Sequence, residues 1–305
     1  MAICYAFISR RKESSQNALD LINECGLFVL GLLFGSFLNV CISRIPRNES
    51  VITPRSHCPA CGAHIPWHDN VPILSWMLLC GRCRACLEKI SLRYPAVELL
   101  TAILFLSSYL CFGPTWLTVK SCLFSFLLVG LLFMDAETGL LPREFTYAGI
   151  VLGLAFAWIV PTDGSLTQFI AHAYGIYPST IQVSLLDSVA GAFAGAGFFF
   201  IAAGIYFLMR KRQGMGRGDF ALIAMSGTFL GLKLTLLVIF AAPLIATIYA
   251  VTLITRYAGD ARNAGVSISE MLQSWEIPFG VFISLCSLAA AFLGESFWRW
   301  YLSLF

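Results

Sequence analysis

The chain has 305 residues, 58% of them hydrophobic and 12% charged, with a mean hydropathy of +0.78. A soluble domain carries about 25% charged residues, so the composition excludes an ordinary water-soluble globule and points to an all-α polytopic membrane protein. The formal net charge of +3 is small, and no nucleic-acid partner is expected.

The first 24 residues hold Arg10, Arg11 and Lys12 ahead of an apolar run from Cys25. This pattern resembles the opening of a signal peptide, but no small-residue cleavage site comes after it, so it is read as a retained first span. A spanning helix needs about 20 apolar residues, each rising about 1.5 Å through a core about 30 Å thick. Runs that fit begin near Cys25, Ala96, Lys120, Phe145, Leu185, Asp219, Lys233 and Ile277, which makes about eight transmembrane helices. Stretches 121–134 and 220–232 are short for the task, and short spans are tolerated where neighbouring helices or a water-filled cavity cover their ends. Gly and Ala crowd residues 190–197, which suits close helix packing in lipid. The expected division is 1–43 for the N-terminal segment and first helix, 44–95 for a loop domain, and 96–305 for the remaining helices.

Lys and Arg set the orientation. The loop between the first two spans holds Arg44, Arg47, Arg55, Arg82, Arg84, Lys89 and Arg93, so it is placed in the cytoplasm. Strict alternation puts loops 135–146, 210–219 and 256–276 on the same side. Of these, the second holds Arg210, Lys211, Arg212 and Arg217, and the third holds Arg256 and Arg262. Loops 113–119 and 162–184 contain no Lys or Arg, as the outer face requires. Only Arg10, Arg11 and Lys12 run against this arrangement. The expected location is the bacterial inner membrane.

Within the first cytoplasmic loop stands Cys58-Pro59-Ala60-Cys61, and after twenty-one intervening residues Cys83-Arg84-Ala85-Cys86. Two C-x-x-C corners let four thiolates close a tetrahedron around zinc. With all four positions taken by protein, the site is read as structural, a metal closing a loop that has little core of its own. A redox pair competes with this reading, but two pairs in a cytoplasmic loop favour metal. His57, His64, His68 and Cys80 are spare donors. Trp67, Trp76, Val71, Ile73 and Leu74 are expected to pack together as a small cluster, with a membrane-facing surface as the alternative. Cys25, Cys41, Cys111, Cys122 and Cys286 lie in or beside apolar runs, where lone cysteines act as small hydrophobes. No disulfide framework is expected.

Ionisable residues at the edge of a span are costly unless paired or hydrated, so they are functional candidates. Asp135 ends the third span and Asp219 opens the sixth, after Gly214-Met215-Gly216-Arg217-Gly218. Two spans separate them, so both return to one membrane face, where their carboxyl groups can share a proton. The ionised member can then take a proton from water while the protonated one polarises a scissile carbonyl. The glycines allow a substrate backbone to approach closely. Against this stand simpler roles: Asp219 as a helix N-cap, and Glu137 or Glu144 as alternative partners in the Asp135 loop. Asp163, Asp187 and Asp260 fit less well. Asp135 also sits at a helix C-terminus, where the dipole disfavours a negative charge, so it needs a compensating reason.

The sequence resembles the bacterial type IV prepilin peptidase family, the leader peptidase/N-methyltransferases of the GxGD aspartic type, from about residue 31 to 282. The resemblance is carried by Gly35-Ser36-Phe37-Leu38-Asn39-Val40 with Arg44-Ile45-Pro46, by the four-cysteine loop with Asp69-Asn70-Val71-Pro72 and Gly81-Arg82, and by Arg93-Tyr94-Pro95 with Glu98. Asp135 with Leu141-Pro142 and Thr146, Gly214-Met215-Gly216-x-Gly218-Asp219, and Ile277-Pro278-Phe279-Gly280 complete it. The resemblance implies a peptidase that cuts a basic leader from prepilins or pseudopilins of type IV pili or type II secretion, at the cytoplasmic side of the bilayer. Asp135 and Asp219 would be the catalytic pair, and Cys58, Cys61, Cys83 and Cys86 the zinc ligands. It also implies N-methylation of the new N-terminus with S-adenosylmethionine. Three positions depart from the family pattern: Arg143 stands where an acid is common, Ala221 replaces a usual lysine, and Val281 a second proline. A competing reading from another class is a non-enzymatic scaffold or transporter with a zinc-bound docking loop. A third is an intramembrane protease of the presenilin kind, against which the four-cysteine loop argues.

Overall fold

The computed structural model describes residues 17–162, 164–211, 214–263 and 278–304. The fold is all-helical, with no strand among the described residues. Helices α1 (Asn17–Arg44), α2 (Leu74–Leu78), α3 (Arg93–Phe112), α4 (Trp116–Thr138), α5 (Arg143–Ile159), α6 (Ser165–Ala173), α7 (Thr180–Arg210), α8 (Arg217–Asn263) and α9 (Phe279–Leu302) succeed one another along the chain. Among the described residues, six helices are long and apolar enough to cross a membrane: α1, α3, α4, α7, α8 and α9. The run expected from Phe145 folds as the 17-residue α5.

The chain divides into two compact units, Met1–Met134 with Ser296–Phe305, and Asp135–Glu295. In the first, α1 packs on α3 through small residues: a Cβ on Gly35 would lie 2.6 Å from Glu98 Cα. The Asn39 amide donates to the Tyr94 carbonyl at 3.0 Å, and Ser108 on α3 meets Ser121 on α4 at 2.9 Å. Cys41, Cys122 and Cys286 are buried free thiols, as small hydrophobes should be. Cys111 departs from that expectation, because it is disulfide-bonded.

In the second unit α8 is not one rod. Gly231 has φ 75° and ψ 176°, which interrupts the helix; this backbone region belongs almost exclusively to glycine. Contacts with α7 show the course of the chain on either side of the break. Gly195 lies against Ile223, Gly191 against Gly227, and Asp187 against Gly231; then Gly195 meets Thr235 as well. The register along α7 runs down and returns, so α8 is a hairpin of two arms, 217–230 and 232–263. The second arm runs antiparallel to α9, with Gly294 beside Leu234 and Tyr249 beside Phe282 at 5.4 Å. The Gly/Ala stretch predicted for close packing does that work: a Cβ on Gly191 would fall 2.7 Å from the Gly227 carbonyl oxygen.

Asp187, buried on α7, holds the turn. Its carboxylate accepts from Thr167 Oγ1 at 2.6 Å, Thr162 Oγ1 at 3.0 Å and the Leu232 N–H at 3.2 Å. The last of these is an N–H that the new helix start leaves unpaired.

Candidate active site and metal centre

Asp135 lies in the last turn of α4 and is only 5% exposed. Its Oδ2 accepts the Val281 N–H at 3.0 Å, in the first turn of α9. Helix N-termini present free N–H groups and a partial positive charge. The compensation that Asp135 requires at its own helix C-terminus is therefore supplied by the start of another helix. Gly280 packs directly on this carboxylate, leaving no room for a side chain: a Cβ there would lie 2.8 Å from Oδ2.

Asp219 is the third residue of α8 and 8% exposed. It is not the N-cap. Its Oδ2 reaches back to accept the Gly216 N–H at 3.1 Å, as the acidic member of a capping box does. Leu141 joins the two neighbourhoods. A Cβ on Gly218 would meet Leu141 Cβ at 2.7 Å, and one on Gly280 would meet Leu141 Cδ1 at 3.0 Å. The two carboxylates are near enough for their charges to interact. The structure thus places Asp135 and Asp219 around Leu141, Asp135 held by backbone N–H groups at the start of α9 and Asp219 by that of Gly216, both walled by apolar helices. Glu137 and Glu144 are exposed and do not share that setting. Asp187 serves the distant α8 turn, while Asp163 and the Asp260 side chain lie outside the described residues.

The four cysteines also converge. The Sγ atoms of Cys58, Cys61, Cys83 and Cys86 all lie within 4.8 Å of one another, and Cys58 Sγ to Cys86 Sγ is 3.8 Å. A tetrahedron with Zn–S bonds of about 2.3 Å has edges of about 3.8 Å, so the thiols fit zinc. Each pair closes the same way: Gly62 N–H donates to the Cys58 carbonyl at 2.8 Å and Leu87 N–H to the Cys83 carbonyl at 3.0 Å. Both donors have positive φ, 71° at Gly62 and 60° at Leu87. Backbone N–H groups of Cys86 and Ala85 hold the Cys83 thiol down to about 7. In the same cluster the Glu88 N–H lowers Cys86, but burial and the neighbouring thiols outweigh it, pushing Cys86 up to about 12. His57, His64, His68 and Cys80 lie outside the cluster.

The rest of the loop is tied by polar contacts more than by a core. Arg84 forks onto Asp69, Nε to Oδ2 and Nη2 to Oδ1, both at 2.6 Å. The Arg84 guanidinium holds the Asp69 carboxyl below the usual carboxylate range. Trp76 packs on Gly81 and donates to the Ile90 carbonyl at 3.2 Å. The expected aromatic cluster is only partly present, because Trp67 and Leu74 are exposed.

Sequence reasoning missed the Val281 N–H, the bridging role of Leu141 and the turn-holding role of Asp187. A buried acid within an apolar run was the available signal for the last.

Two family models match the chain in succession. A model of the Bacterial Peptidase A24 N-terminal domain matches residues 29–112, and one of the Type IV leader peptidase family matches residues 122–251. A prepilin leader peptidase/N-methyltransferase of Aeromonas salmonicida (strain A449) is 33% identical over 302 residues, 91% of this chain and 93% of that protein. One from Neisseria gonorrhoeae is 35% identical over 74% of this chain and 80% of its own length. A third, from Myxococcus xanthus, is 39% identical over 67% of this chain; there the chain spans 55% of the relative's length. No solved structure matches the chain.

Proposed function

Because the chain belongs to the type IV leader peptidase family, we propose that it removes the basic leader from prepilins or pseudopilins with Asp135 and Asp219 as its catalytic pair, at the cytoplasmic face of the inner membrane. The observation that carries the assignment is the meeting of two buried carboxylates across Leu141, each oriented by a backbone N–H. One carboxylate, ionised, takes a proton from water as the oxygen attacks the scissile carbonyl carbon. The other, protonated, donates to the carbonyl oxygen, giving a tetrahedral gem-diol. Collapse of that intermediate breaks the C–N bond: the proton taken from water passes to the departing nitrogen, and a gem-diol hydroxyl returns its proton to the carboxylate that had donated one. The apolar walls exclude competing water and strengthen each interaction.

The thiolates of Cys58, Cys61, Cys83 and Cys86 hold zinc, whose part is to close the loop rather than to activate water. We extend the proposal to methylation of the freed N-terminal amine with S-adenosylmethionine as donor, on the strength of the relatives' name. Membranes carrying Asp135→Asn or Asp219→Asn are expected to leave a prepilin uncut. Full processing by either variant would remove the pair from the mechanism. Mass spectrometry of the mature pilin tests the second activity, and an unmodified N-terminus would count against it.

A further inference from the structure

The metal-binding loop leaves one helical turn uncovered. In α2, Ser75 and Trp76 face inward: Ser75 Oγ accepts from the Val71 N–H and donates to the His68 carbonyl, and Trp76 lies on Gly81. Positions i, i+3 and i+4 share a helix face, and here they are Leu74, Met77 and Leu78, exposed by 59%, 62% and 84%. Three large apolar side chains on one exposed turn mark an interaction surface.

Two observations identify what covers it. The first is depth. The Ile73 N–H, immediately before the turn, donates to Glu98 Oε2 at 2.8 Å. Glu98 lies five residues into α3, roughly 7.5 Å along the helix at 1.5 Å per residue, so α2 is pinned beside the opening turns of an apolar span. Ile73 is held at φ 59° to make this contact, an unusual conformation for a β-branched residue. The second is charge and tethering. The loop runs directly out of α1 and into α3, and its seven basic residues stand against three acids, Glu49, Asp69 and Glu88. That balance suits anionic lipid headgroups.

We propose that α2 is an interfacial anchor whose Leu74, Met77 and Leu78 insert among the lipids of the leaflet reached by the end of α1 and the start of α3, fixing the metal-binding loop to the membrane surface. The anchor rests on the helices crossing a bilayer and not on peptide cleavage, so the two readings fail separately.

The test uses the full chain in vesicles of phosphatidylethanolamine and phosphatidylglycerol. Photoreactive p-benzoylphenylalanine is placed singly at positions 74, 77 and 78, and at the exposed, charged position 88 as a control. Retained metal content reports an intact loop in each, and the three apolar positions are read independently. Lipid adducts, detected by mass spectrometry, are expected at 74, 77 and 78 and not at 88. Adducts to a second copy of the chain or to a co-reconstituted prepilin in place of lipid would overturn the anchor, as would no adduct at any of the three in metal-loaded protein.

Discussion

Changing Gly280 to alanine separates the site from the fold. Gly280 is the second residue of α9, and in an open helix Gly→Ala gains roughly 0.8–1.0 kcal/mol. Here the new Cβ would fall 2.8 Å from Asp135 Oδ2 and 3.0 Å from its Cγ, well inside the usual contact distance of about 3.5 Å. The carboxylate must move, and the Val281 N–H bond that orients it is lengthened or lost. A hydrogen bond to a charged group contributes about 1.5–3 kcal/mol. At 1.36 kcal/mol per factor of ten, leader cleavage by Gly280→Ala should slow by about 10- to 150-fold. Stability should fall by less, about 0.5–2.2 kcal/mol, because the gain in helix propensity offsets part of the lost hydrogen bond. The assay is a time course of prepilin cleavage with purified enzyme, paired with unfolding of the same sample. Parental cleavage rates would refute the orienting role of this contact, and an equal loss of rate and stability would assign Gly280 to the fold alone.

Gly231→Ala should destabilise the second unit by about 3–5 kcal/mol: about 1–3 for a backbone region nearly closed to other residues, and the rest from displacing Asp187 from its donors. Unfolding midpoints read this directly, and a shift of less than about 1 kcal/mol would be incompatible with the hairpin. Cys83→Ser should abolish metal retention, measured by elemental analysis. In the unmutated chain, retention should decline as pH falls, because protons then compete with the metal for the four thiolates. Asp69 has a folded pKa below its unfolded one, so its contribution is present above the ordinary carboxylate range and lost as pH falls through the folded value. The unfolding temperatures of the parent and Asp69→Asn should therefore differ at neutral pH and converge in acid.

Local patterns are legible in the sequence, and contacts between distant backbone groups are not. Paired C-x-x-C spacing is a local property, and the four thiols do converge. Parity along the chain places Asp135 and Asp219 at one face, and the structure puts the surroundings of both against Leu141. The break within 219–257 was expected at Lys233 and occurs at Gly231. In an apolar run the charged residue drew the boundary, although backbone freedom decides it. In the sequence Val281 stands out by its side chain, as a departure from proline. The structure uses its N–H, a group that proline lacks. Glu98 was visible as a motif residue, yet its partner Ile73 is 25 positions away, and no periodicity links the two.

The hairpin at Gly231 has a consequence for depth. The first arm, 217–230, ends within about 21 Å at 1.5 Å per residue, against a hydrocarbon layer of about 30 Å. A rod that falls short by nearly a third must either start below the headgroups or draw the lipid thinner around itself. In the first case the Asp219 carboxylate lies deeper than the start of a full-length helix would place it.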